Sequence, residues 1–377
     1  MKPIIILLIC ASLWAGEQSP AEQAIAAATE ALEKNPKRVE SHNTLAMALA
    51  RRARETADTS YYDRAEAALA ASLKIEPGNF EARKIQAWLL LGKHRFADAL
   101  KLSTALNREA ADDVMVYGLM ADAHAELGNY SQAEEAVQWM LNIGRGSIPG
   151  LTRAAHLREL FGDIQGALEL MLTAYQRLSP SENEERAWVL THMAHLELVN
   201  GRYEQASKLA GEALQLFPDY HYALAQLAKV RASQGKAAEA AALLRKRYDA
   251  APHPENLYEL ATALKAAGRN KEARESFAEF EKAARAEMES WDNANRELIF
   301  YYTDHAGNPE EALRVARLEI ARRRDVYTLD AYAWALYKNR KTAEARRQME
   351  TALAVGVRDP NILKHARVIG VELAEIH

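Results

Sequence analysis

Apolar residues recur along most of this chain at steps of three and four, as in Leu224, Leu227 and Ala228. That spacing places them on one face of a helix. No segment sustains the alternation of a strand, so the chain is predicted to be all-α. A longer period lies over the short one. Ten alanines (Ala24, Ala65, Ala99, Ala133, Ala167, Ala206, Ala240, Ala273, Ala312 and Ala345) follow one another at intervals of 33 or 34 residues in six cases, and of 39, 39 and 41 in the other three. A fixed period of this size marks stacked helical units, each burying its apolar face only against its neighbours.

A second alanine stands twelve residues earlier in most units, at Ala87, Ala121, Ala155, Ala194, Ala228, Ala261 and Ala333. Ala46 stands nineteen before Ala65, the same interval with seven residues inserted, and Phe300 fills the slot before Ala312. Small residues at a constant offset let two helices cross closely, where a larger side chain would force the axes apart. Gly128, Gly162, Gly201, Gly235, Gly268 and Gly307 each fall five residues before the later alanine, where a helix can end on a residue of positive φ. Pro36, Pro77, Pro218 and Pro252 fall twelve residues after it and close the unit, since proline cannot continue a helix interior. The unit is helix, short turn, helix, stop. The pattern predicts an orphan second helix at about residues 20–35, nine two-helix units, and a lone helix at about 361–375. The Phe300 unit, with its longer approach EKAARAEMESWDNAN, is expected to be locally irregular. The polar insertions at 54–60 and 180–184 are expected to tolerate deletion better than any helix.

The unit VYGLMADAHAELGNYSQAEEAV at 116–137 resembles the tetratricopeptide repeat, and LAMALA, LAQLAKVRASQGKAAEA and AYAWALYKNRKTAEA repeat its logic. The resemblance covers roughly residues 21–375 and rests on nine units that agree in spacing. The C-terminal stretch RRDVYTLDAYAWALY is also similar to a group of exported bacterial repeat proteins of unassigned function. The resemblance implies a right-handed superhelical solenoid of antiparallel helix pairs, one domain over residues 16–377, with binding as its function. It also implies that the first helix of each unit lines a concave groove. Carried over unit by unit, that selects Lys84 and Trp88, Asp122 and Glu126, His156 and Glu159, then Trp188, Thr191 and His195. Tyr222 and Lys229 follow, then Tyr258, then Tyr301, Asp304 and His305, and finally Tyr327, Asp330, Trp334, Tyr337 and Lys338. Eight of these are aromatic although aromatics make up 7% of the chain, and Tyr and Trp dominate binding hot spots. Several are expected to pack between helices, with Trp88, Trp334 and Tyr337 exposed. Relatives that read acidic C-terminal tails use a lysine and asparagine clamp. Lys84 is present here, but Trp88 and Asp122 hold the slots such a clamp would fill, so that specificity is not expected.

A net charge of −4 leaves no basic stripe for nucleic acid. The run Arg322, Arg323, Arg324 reads as a basic helix end that complements the helix dipole. The only cysteine is Cys10, inside MKPIIILLICASLWAG at residues 1–16. One lysine, an apolar run from Ile4 to Trp14, and small residues Ala15 and Gly16 make a secretory signal at residues 1–15, with cleavage expected after Ala15. The run is too short to span a bilayer. Lipid attachment at Cys10 is the rival reading, and Ile9 stands where it would want a small residue. The chain is therefore expected to be exported, periplasmic or secreted, with no stable membrane insertion after cleavage and no thiol chemistry.

No Gly-x-Ser-x-Gly, His-Glu-x-x-His or Cys-x-x-Cys occurs, and GRGSIPG at 144–150 lacks the ending of a phosphate loop. His192 and His195, with Glu197 nearby, have no evident third ligand for zinc. Asp304 and His305 are consecutive on a helix and do not face one another. His156, Glu159 and His195, on neighbouring first helices, are the one set that could converge as acid and base. No metal and no cofactor is expected. The function these residues support is a non-catalytic scaffold holding a peptide or protein segment in its groove. The alternative is carbohydrate or cell-wall glycan binding through the groove aromatics.

Overall fold

The computed structural model describes residues 19–289 and 293–371. Its regular structure is twenty helices, with no strand among the described residues. α1 (Pro20–Lys34) stands alone. Nine antiparallel pairs follow: α2 (Val39–Thr56) with α3 (Ser60–Ile75), α4 (Phe80–Gly92) with α5 (Phe96–Glu109), α6 (Val114–Glu126) with α7 (Tyr130–Ile143), α8 (Ile148–Leu160) with α9 (Ile164–Arg177), and α10 (Asn183–Val199) with α11 (Tyr203–Leu216). The later pairs are α12 (His221–Ser233) with α13 (Ala237–Ala250), α14 (Pro254–Ala266) with α15 (Asn270–Ala286), α16 (Asn295–Asp304) with α17 (Pro309–Ile320), and α18 (Val326–Lys338) with α19 (Thr342–Leu353). α20 (Pro360–Ile369) is the terminal half unit. This is the order the alanine spacing predicts. The signal region and Cys10 lie outside the described residues.

The small-residue rule explains the stack. Ala65, Ala99, Ala133, Ala167, Ala206, Ala240, Ala273, Ala312 and Ala345 are at most 2% exposed, each at a helix crossing with no room for a longer side chain. Ala24 is only half-buried, because among the described residues α1 has no earlier pair to pack on. First helices such as α6, α8 and α12 carry apolar residues around most of their circumference, being packed between neighbours. Second helices such as α7, α9 and α11 concentrate them on one stripe and present the rest to water. Between the two helices of a pair, all six turn glycines take positive φ, and His94 and Arg340 take the same conformation in two pairs that lack the glycine. α16 is ten residues long and starts at a buried Asn295 whose amide donates to Glu319 at 2.9 Å, which makes that pair the irregular one.

The two insertions are not free loops. Residues 54–56 extend α2, and Glu184 lies in the first turn of α10. They meet. Arg54 Nη2 is 2.7 Å from Glu184 Oε2, and Arg51 lies 3.4, 3.6 and 3.8 Å from Glu182, Glu184 and Glu185. The Tyr220 hydroxyl donates to Glu184 at 2.9 Å. Farther along, the Arg324 N–H donates to the Glu126 carbonyl at 2.8 Å and the Val326 N–H to the Tyr130 hydroxyl at 3.0 Å. The turn between α8 and α9 abuts the loop between α19 and α20 at Gly162 and Gly356. Successive turns of the superhelix are thus seamed together, within-pair turns of early pairs resting on between-pair loops of later ones. The run Arg322–Arg324 is part of this seam rather than a bland helix end: Arg323 is 4% exposed and lies 2.7 Å from Glu319 and 3.5 Å from Glu126.

Candidate concave binding face

Many of the selected polar residues on the first helices reach the next first helix, while Glu126 turns to Arg323 at the seam and His156 to Glu159 of its own helix. Lys84 of α4 lies 2.8 Å from Asp113, the N-cap of α6. Asp122 of α6 accepts two hydrogen bonds from Arg153 of α8, at 2.8 and 2.7 Å. Glu159 of α8 is 2.7 Å from His195 of α10, and Lys229 of α12 is 3.8 Å from Glu259 of α14. Asp304 of α16 accepts from the indole N–H of Trp334 at 3.0 Å and lies 3.0 Å from Lys338, both on α18. Asp330 of α18 is 2.9 Å from His365 of α20. The sequence-selected charges are therefore rungs of a ladder that ties neighbouring units together. Thr191 is buried and bonds back to its own helix, its hydroxyl donating to the Ala187 carbonyl at 2.7 Å.

The aromatics are packed more than the spacing suggests. Trp334 is 8% exposed, stacked on His365 at 4.2 Å and on Tyr337 at 5.7 Å. Its expected exposure is corrected: α20 covers it, and Asp330 is buried beside it. Trp88 and Tyr337 are half-buried. The Trp188 ring lies 3.9 Å from His192, and Tyr222 lies 3.9 Å from His221. Tyr258 and Tyr301 pack on the buried Phe280 at 5.2 and 5.7 Å, and Tyr327 sits 5.9 Å beneath the Arg296 guanidinium. Among the described residues the exposed tryptophan is Trp139, 47% accessible on the second helix α7, where groove logic would not look for it.

Several inner groups are enclosed although water reaches them. His156 keeps 49% of its side-chain surface accessible, yet desolvation is the largest influence on its ionisation. Desolvation disfavours the His156 cation, but Glu159 outweighs it and raises the imidazole above its ordinary value. Desolvation likewise opposes the Glu159 carboxylate, and His156 with His195 hold it far below the usual range. Burial pushes His192 and His221 down to about 4. Burial and the nearby Glu255 push Glu297 up to about 7. At the seam, burial and Asp325 raise Glu126. Asp325 itself, despite burial, is held low by Arg296 and Arg323.

One pH dependence follows. His192 and His221 have unperturbed values of 6.5 and folded values near 4. Across that window the unfolded chain takes up protons that the folded chain does not, so the stability these two groups contribute falls as pH drops from 6.5 toward 4. His156 shifts the opposite way, and its contribution is already complete below 6.5. Glu297, held near 7, also opposes them, because it takes up its proton in the folded chain first. NMR titration of the His192 and His221 rings therefore reads the effect directly: both should remain neutral at pH 5, and a midpoint near 6.5 for either would contradict its burial.

His156, Glu159 and His195 do converge, with His156 Nδ1 3.9 Å from Glu159. The set is one carboxylate between two imidazoles. No serine or threonine hydroxyl bonds either ring among the described residues. His192 turns its Nδ1 to the Trp188 carbonyl at 3.0 Å instead of joining His195. Among the described residues no group of three His, Cys, Asp or Glu could hold a metal. The arrangement carries no catalytic signature. What sequence reasoning missed are the seam residues Arg51, Arg54, Glu184, Tyr130 and Arg323. The one trace of them was that two of the three long intervals surround residues that meet.

The comparisons agree with this architecture. A tetratricopeptide repeat family model matches residues 192–253, from α10 into the loop before α14. No curated protein matches the chain. Among solved structures, the APC/C hetero-tetramer Cut9-Hcn1 is similar at 12% identity and a TM-score of 0.52, over 92% of this chain and 58% of that one. The human IFIT1 dimer with m7Gppp-AAAA is similar at 13% identity and a TM-score of 0.52, over 89% of this chain and 86% of that one. At such identities the likeness is one of fold, and the fold is a tetratricopeptide-like helical array. Among the described residues no helix is long and apolar enough to cross a membrane.

Proposed function

We propose that the protein is an exported, non-catalytic scaffold that holds a segment of another protein against the inner face of its coil. The observation that carries this reading is the lining itself: His156 and Lys229, on first helices, keep 49% and 48% of their side-chain surface accessible to a ligand, with the carboxylates of Glu159 and Glu259 beside them. An extended peptide brings backbone donors and acceptors to such a lining, and imidazoles, carboxylates and tyrosine edges can answer them. Cut9, whose fold is similar, is found in a complex with Hcn1, which suits a protein partner. The RNA of the IFIT1 structure is a poorer guide, because this chain is net negative and its inner cations are matched by carboxylates. A glycan would need open aromatic faces, and the groove aromatics are packed on neighbours. Residues 1–15 as a cleaved signal and 16–377 as one working solenoid belong to the same proposal, which places the protein in a periplasm or outside the cell.

Photo-crosslinking tests it. With a benzophenone amino acid at Lys229 or His156 inside the coil, and at Trp139 outside it, protein adducts in cells are expected from the two inner positions. Adducts from Trp139 alone, or from none of the three, would overturn the proposal.

A further inference from the structure

The turns between paired helices are of two kinds. Their glycines share one backbone conformation, with φ from +64° at Gly307 to +82° at Gly162. A Cβ built on Gly128 would stand 2.8 Å from the Arg324 carbonyl oxygen, and one on Gly162 would stand 2.5 Å from that of Gly356. Those turns are docked in the seam. A Cβ on Gly201, Gly235, Gly268 or Gly307 would meet nothing within 4 Å. The same turn is therefore open in four consecutive later pairs. The complementary surface is open too, at the other end of the coil. The loop between α3 and α4 has nothing within 4 Å of a Cβ on Gly78, and Glu76 and Asp112 are exposed in the loops before α4 and α6.

A coil whose early turns rest on its later loops must leave later turns free at one end and early loops free at the other. The contact between the two insertions supplies the charge pattern. There Arg51 and Arg54 on the turn side face Glu182, Glu184 and Glu185 on the loop side, whereas farther along Glu126 on the turn side meets Arg323 on the loop side. On the open turns Arg202, Lys236, Arg269 and Arg340 are exposed, and the open loops offer Glu76 and Asp112. We propose that a second copy of this chain docks head to tail, setting its early loops on the later turns of the first and repeating between molecules the seam that exists within one. Such a contact joins unlike surfaces, so it builds rings or filaments rather than a two-fold dimer.

Sedimentation velocity of the full chain over a concentration series is expected to show species heavier than the monomer that dissociate in high salt. The triple variant Arg202→Glu, Lys236→Glu, Arg269→Glu sets acid against acid. The double variant Glu76→Lys, Asp112→Lys sets base against base. Each alone should associate roughly tenfold more weakly or worse, since like charges across an interface oppose docking, with circular dichroism unchanged because the positions are on the surface. Mixed in equal amounts, the two variants oppose unlike charges again and should regain wild-type association, which damaged chains would not do. A wild type that stays monomeric throughout, variants that associate as well as wild type, or folded variants that do not rescue one another would each overturn the proposal.

Discussion

Glu184→Ala is expected to destabilise the coil by about 3 kcal/mol and to open its seam, because removing one partner of a buried ion pair leaves the other charge uncompensated. The Glu184 side chain has no accessible surface and receives Arg54, Arg51 and the Tyr220 hydroxyl. Arg54 keeps 35% of its side chain accessible, so water relieves part of the loss and the effect belongs at the lower end of the range for buried pairs. Glu182 is the internal control. It also pairs with Arg51, at 3.4 Å, but keeps 38% of its side chain accessible, and exposed pairs of this kind contribute about 0–1 kcal/mol. Urea unfolding ranks the two variants, and small-angle scattering reads the shape. A larger radius of gyration for Glu184→Ala than for Glu182→Ala would show the seam parting before the units melt. Equal behaviour of the two would mean that the seam is not held by this cluster.

The legible part of the fold is the part that repeats. Ala133 and Ala167 announce themselves because every unit needs a small residue at the same crossing, and Gly162 or Gly235 because every turn needs the same φ. The seam does not repeat in that way. Arg54 and Glu184 are 130 residues apart, and no period connects them. The same limit applies to the first-helix charges. Lys84, Asp122 and Asp304 do lie on first helices, α4, α6 and α16, but whether a charge is free depends on what the next first helix offers. Asp122 and Arg153 are 31 residues apart, close to one period, so that rung could have been read by comparing like positions in adjacent units. Trp334 was misjudged for a related reason. The half unit α20 completes the stack, and a completed stack covers the last first helix as it covers all the others.

Gly162→Ala and Gly235→Ala make a matched pair that isolates the seam from the turn. Both glycines end a first helix at positive φ, +82° and +75°, where an L residue costs about 1–2 kcal/mol. That cost is common to both. Only at Gly162 does the added methyl point at another turn of the coil, 2.5 Å from the Gly356 carbonyl oxygen. A side chain can swing aside, but a backbone oxygen moves only with its loop, so residues 356–359 must retreat. Overpacking of this kind costs a further 1–3 kcal/mol, roughly, when it is not relieved. Gly162→Ala should therefore lose more stability than Gly235→Ala, and hydrogen exchange should quicken in the loop between α19 and α20 in the first variant alone. Equal losses, with that loop equally protected, would mean the two turns sit in the same surroundings in solution. The coil would then be unseamed at this point, and the docking of a second copy, which reuses the same contact, would lose its template.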